Sequence, residues 1–148
     1  MYASLIFYMS CIIVINGYVT TPRSLSIYAP HERPTLRKIH VDCEVRTRQT
    51  LAPQYLYWVI CSSDNVYDCV FPQHSNIEIT EINYPTEIVD NSYLLRTRLW
   101  IKDHNTIKYK ILKCSHVSPD PVISQQVILE NLWDNKICNN CEFSGEYP

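Results

Sequence analysis

Glycine is nearly absent from this chain: two in 148 residues. No glycine-rich loop is therefore available to cradle a phosphate group. Strong charge of either sign is also lacking. Thirteen Lys and Arg against fifteen Asp and Glu leave a formal net charge of −2, which excludes an electrostatic nucleic-acid binder. After the first residues no apolar run is long enough to span a bilayer, which takes roughly 20 residues. The five histidines, His31, His40, His74, His104 and His116, are scattered without metal-ligand spacing and read as solvated surface groups. No serine sits in a nucleophile-elbow context. No enzyme activity, cofactor or metal is implied. There is no internal repeat, no low-complexity segment and no Asn-x-Ser/Thr sequon.

What is present points to β structure. Nine prolines and eleven tyrosines suit strands with rigid connections better than a helical bundle. The length suits one domain. Residues 1–17 read as a signal peptide, with an uncharged apolar core at 5–15 and Gly17 at a plausible cleavage position. Residues 18–35 read as an extended, partly loose lead-in, 36–133 as the folded domain, and 134–148 as an irregular tail. The mature protein is expected to be secreted, with no membrane anchor.

Seven cysteines fit that compartment. Cys11 falls in the signal segment and leaves six, an even number. The centre of the pattern is Tyr55-Leu56-Tyr57-Trp58-Val59-Ile60-Cys61, which alternates as a strand does. Leu56, Trp58 and Ile60 take one side; Tyr55, Tyr57 and Val59 take the other. Cys43 lies upstream and Cys114 downstream. A tryptophan between two distant cysteines marks an all-β, immunoglobulin-like sandwich stapled by disulfides, with the indole packed on the bond between the sheets. A Cys43–Cys114 bond and a buried Trp58 are expected. The tyrosine corner of such domains is missing, because position 112 is Leu.

The remaining strands are expected at residues 38–45, 66–71, 77–82, 93–101, 107–117 and 122–133. Cys61 and Cys69 flank a turn at residues 62–65 and are the preferred second pair. Three pairings of Cys61, Cys69, Cys138 and Cys141 remain open. The tail cysteines, spaced Cys-x-x-Cys, would otherwise reach back to the hairpin or link two chains. Monomer and disulfide-linked dimer are both compatible. Arg96, Arg98 and Lys102 form a basic run whose usual meaning is a solvated face, and whose alternative is a contact for an acidic partner. The strongest local signal is aromatic. Tyr55 and Tyr57 project outward from one strand and Tyr67 is expected on the strand paired with it. Such residues dominate binding hot spots.

At this stretch the chain resembles the secreted interleukin-18-binding proteins of vertebrates and poxviruses. Tyr55-Leu56-Tyr57-Trp58 matches the family's aliphatic-or-Tyr, Leu or Met, Tyr, Trp strand. Tyr67-Asp68-Cys69-Val70-Phe71 followed by Pro72 is similar to its Phe-Ile-Glu-His-Leu segment. Val127-Ile128-Leu129-Glu130-Asn131-Leu132-Trp133 is similar to Val-Val-Leu-Ala-Gln-Leu-Trp of the vertebrate members. The short, sequon-free chain looks like a poxviral member. The resemblance implies a decoy that binds interleukin-18 through the aromatic sheet face and blocks receptor engagement. It places contacts at Tyr57 and Tyr67, with Tyr55 beside them. The family's Glu falls on Cys69, so an acidic contact would have to come from Asp68 or elsewhere. An immunoglobulin-like module for another cytokine or cell-surface ligand is the alternative.

Overall fold

A computed structural model describes residues 23–135; residues 1–17, expected to be a signal peptide and holding Cys11, and Cys138 and Cys141 lie outside the described residues. Among the described residues, nine strands form two antiparallel sheets. The first sheet contains β1 (Ser24–Tyr28), β2 (Ile39–Arg48), β5 (Ile79–Asn83), β6 (Glu87–Val89) and β7 (Ser92–Ile101). Its order is β1-β2-β7-β5, with β6 also on β7. The second sheet is ordered β4-β3-β8-β9. It contains β3 (Tyr55–Cys61), β4 (Cys69–Val70), β8 (Ile111–Val117) and β9 (Ile123–Val127).

The alternation of the sequence decides which face of each strand is buried. Ile39, Val41, Cys43 and Val45 of β2 face Leu95, Thr97, Leu99 and Ile101 of β7 within their sheet, and all are buried. Leu56, Trp58 and Ile60 bring the second sheet onto them. Cys43 is bonded to Cys114 across the sheets, 6.5 Å between Cα atoms. Trp58 pairs with Cys114 in register and is fully buried. These features make the fold an immunoglobulin-like β-sandwich.

Several segments differ from the sequence expectation. The lead-in is extended but not loose where described, because β1 pairs with β2 along its whole length. The strand expected at 107–117 begins only at Ile111. Ile107, fully buried, accepts a hydrogen bond from Lys110 N in a turn. The last strand ends at Val127, and Leu129–Asn135 is a helix, α1. Leu129, Leu132 and Trp133 are buried, the i, i+3, i+4 spacing of one helical face. The Trp133 indole donates to Pro30 O at 2.9 Å. Arg33 pairs with Glu130 and Asp134 and lies 5.3 Å over the Trp133 ring. This helix closes one end of the sandwich.

Two histidines are not surface groups. His104 is buried edge-on to Trp133, 5.1 Å between ring centroids. His116 is buried at the other end of the sandwich, where Arg23 donates to its Nδ1 at 3.4 Å. A guanidinium only donates, so Nε2 carries the proton and donates to Gln54 Oε1 at 2.9 Å. Burial, then the Arg23 charge, hold the His116 imidazole below its ordinary proton affinity, against an opposing pull from Asp120.

A β6–β7 hairpin was not anticipated. Asp90 and Asn91 turn it with φ of 50° and 61°, the left-handed conformation that a two-residue hairpin turn requires and these residues tolerate. Together β5 and β6 form one edge of the sheet with a break between them. Asn83 pairs with Thr97, yet Glu87 pairs with Leu94. One extra residue is therefore accommodated around Pro85, as in a β-bulge.

Candidate ligand-binding face

Strand parity turns Tyr55, Tyr57 and Val59 to the outside of the second sheet, because Leu56, Trp58 and Ile60 are needed in the core. Tyr55 and Tyr57 lie with ring centroids 6.4 Å apart, and Tyr57 lies 6.0 Å from Phe71. The three rings form a strip. Tyr55 is 54% and Phe71 46% exposed, and Tyr57 is half-buried between them. Tyr57 has Ser115 as its neighbour on β8, and Ser115 pairs with Ser124 on β9. The two serine hydroxyls bond each other at 2.8 Å. Ser115 is buried beside Tyr57, and Tyr55 has Val117 as its neighbour on β8.

Phe71 is the residue that the sequence reading left out of the site. Cys69 pairs with Cys61 in register and the two are bonded, so Cys69 shares the outward parity of Tyr57. Phe71, two residues on, faces the same way. That parity was the available signal.

Tyr67 and Asp68 are placed differently from the expectation. The strand foreseen at 66–71 is only Cys69–Val70. Before it the chain closes a loop: Ser62 N donates to Asp68 O and Asp68 N to Asn65 O, both at 3.0 Å. The Asn65 side chain accepts from Tyr67 N at 3.0 Å, an Asx turn. Pairing resumes only at Cys69, and Pro72 starts a single 3-10 turn that ends the strand. Tyr67 consequently sits on the loop, 92% exposed, with Asp68 also exposed. The structure thus joins Tyr55, Tyr57 and Phe71 in one strip and sets Tyr67 and Asp68 on the loop closed by the Cys61–Cys69 bond.

The outer face of the first sheet is of another kind. Arg98 makes two bonds to Asp42, at 2.7 and 2.8 Å. Arg96 pairs with Glu87, and Lys102 with Glu78. Lys38 lies 4.9 Å and Arg98 5.5 Å from the centre of the Trp100 ring, and His40 packs against that ring at 4.9 Å. Arg96 and Arg98 cover Tyr84 at 5.5 and 5.9 Å. The basic run at Arg96, Arg98 and Lys102 is a set of paired charges. Against known proteins, no family model matches the chain and no curated protein matches it.

Proposed function

We propose that this protein is a secreted decoy that binds interleukin-18 on the outer face of the β4-β3-β8-β9 sheet and keeps the cytokine from its receptor. The observation that carries the reading is the exposed strip of Tyr55, Tyr57 and Phe71. Aromatic rings held by a sheet bury large area at little entropic cost when a partner covers them. The resemblance of Tyr55-Leu56-Tyr57-Trp58 and of residues 127–133 to the interleukin-18-binding proteins supports the choice of ligand. The two disulfides suit an oxidising compartment. Among the described residues no helix is long and apolar enough to cross a membrane.

The mechanism is competition. A rigid face occupies ligand surface that the receptor also needs, so inhibition follows occupancy and requires no chemistry on the ligand. Surface plasmon resonance of the protein from culture medium against a panel of interleukin-1-family cytokines tests the reading. Binding to interleukin-18 that a soluble receptor competes away is the expected result. Binding to another member alone would make the protein a module for that ligand, and binding to none would end the cytokine reading.

A further inference from the structure

Tyr67 is the most exposed tyrosine among the described residues. We propose that it is a sulfation site, so that the protein leaves the secretory pathway with an aryl sulfate on the loop closed by the Cys61–Cys69 bond. The inference rests on the secreted, ligand-binding reading, because sulfuryl transfer to tyrosine takes place in the secretory lumen.

The argument comes from comparing the exposed tyrosines. A sulfotransferase must reach the phenol and a short run of backbone around it, and it favours acidic neighbours. Tyr67 is 92% exposed. Asp64 lies three residues before it and Asp68 directly after it, with no Lys, Arg or His from Ser62 to Pro72. The carrying loop projects beyond the strands and is held by the Cys61–Cys69 bond behind it. Among the described residues, the other exposed tyrosines each lack something. Tyr109 is 57% exposed, but lies between Lys108 and Lys110 with the Lys108 ammonium 4.9 Å over its ring. Tyr84 is 37% exposed and has Arg96 and Arg98 over its ring. Tyr55 is 54% exposed on a strand and has no acidic neighbour within five residues.

The reaction is a group transfer. The phenol oxygen of Tyr67 attacks the sulfur of a phosphoadenosine phosphosulfate mixed anhydride supplied by the secreting cell. The bond from sulfur to the bridging phosphate oxygen breaks, and its electron pair leaves with the adenosine bisphosphate. The phenolic proton passes to a base of the transferase. The product carries a fixed negative charge beside Asp68 and near Asp64 in sequence. The loop then presents a concentrated anionic tip to a basic patch on the ligand, a role that Cys69 cannot fill. Charge at an interface rim acts mainly on the association rate and loses its effect in salt.

Two arms test this on the full chain. In the first, purified protein is incubated with a tyrosylprotein sulfotransferase and the phosphosulfate donor. Transfer of one sulfate to wild type and none to Tyr67→Phe is expected; transfer to another tyrosine, or none, overturns the proposal whatever the ligand is. In the second, protein secreted by human cells with and without chlorate, which blocks sulfate activation, is compared by intact mass, peptide mapping and binding. The expected result is a phosphatase-resistant sulfate on Tyr67, lost with chlorate, with a few-fold faster association at low salt than the chlorate-treated protein. Secreted, cytokine-binding protein with an unmodified Tyr67 would overturn the site and leave the binding reading standing. Sulfate transfer in the first arm with no cytokine bound in the second would do the reverse.

Discussion

The two outer faces of the sandwich come from the same kind of strand but solve different problems. On the β1-β2-β7-β5 sheet, charged residues alternate with the core positions, and the aromatics among them are covered. Trp100 and Tyr84 lie under cations, and Arg98 donates from Nε and Nη2 to the two carboxylate oxygens of Asp42. On the β4-β3-β8-β9 sheet, Tyr55, Tyr57 and Phe71 lie beside one another, and the cross-strand neighbours of Tyr55 and Tyr57 are the uncharged Val117 and Ser115. A partner meeting the first face would have to displace existing ion pairs and desolvate their charges. A partner meeting the second displaces mostly water. Aromatic residues on a sheet face can therefore mean different things, depending on what already covers them.

The largest effect should strike both faces together. Replacing Cys43 and Cys114 by Ala is expected to cost about 4 kcal/mol of stability, since the bond closes a loop of 71 residues. Urea denaturation of the purified variant measures this, and a loss confined to one face would break the view of a shared core. Next, Tyr57→Ala and Phe71→Ala should each weaken ligand binding by about 2 kcal/mol, measured by surface plasmon resonance on folded protein. Tyr55→Ala, at the end of the strip, should cost less.

The comparison is sharpened by the other face. Arg98→Ala should lower stability by roughly 1 kcal/mol at most, as expected of a partly exposed pair, and leave ligand affinity unchanged. If affinity falls there while the Tyr57 variant binds as wild type, the binding face has been assigned to the wrong sheet.

The smallest effect is graded with pH. The folded chain holds His116 below the ordinary proton affinity of histidine, so the unfolded chain takes up the proton first. Stability from the neutral imidazole is thus full above about pH 6.5 and is lost as pH falls through the folded value. His40, lowered by burial and by Arg98 against Asp42, acts in the same direction. Denaturation midpoints should fall between about pH 7.5 and about pH 5, and His116→Gln should flatten part of that slope.

Where alternation was clean, the sequence could be read directly. Tyr55–Cys61 is a strand with the bounds its pattern suggests, and β7 buries the residues its parity selects. The terminal helix was obscured because Val127, Ile128 and Leu129 continue an apolar run. What holds that helix is remote in sequence: Arg33 and the Pro30 carbonyl. Neither is visible from local propensity. His116 was misread for the same reason. Its burial is compensated by Gln54 and Arg23, on other segments. The site was half legible. Tyr55 and Tyr57 follow from strand parity, but Tyr67 depends on an Asx turn that ends the loop later than composition suggests.

The proline-centred break between β5 and β6 has a bearing on how this molecule can be approached. An unbroken outer strand offers a row of main-chain donors and acceptors to any incoming chain. Here the row is interrupted midway, where pairing slips by one residue and Pro85 has no N–H to give. The opposite border of that sheet, β1, lies against β9, so those two borders shield each other. The last border, β4, is two residues long. Among the described residues, no border can accept another full-length strand, whether from a partner or from a second copy of the chain. A protein ligand must come broadside, and what it meets there is side chains.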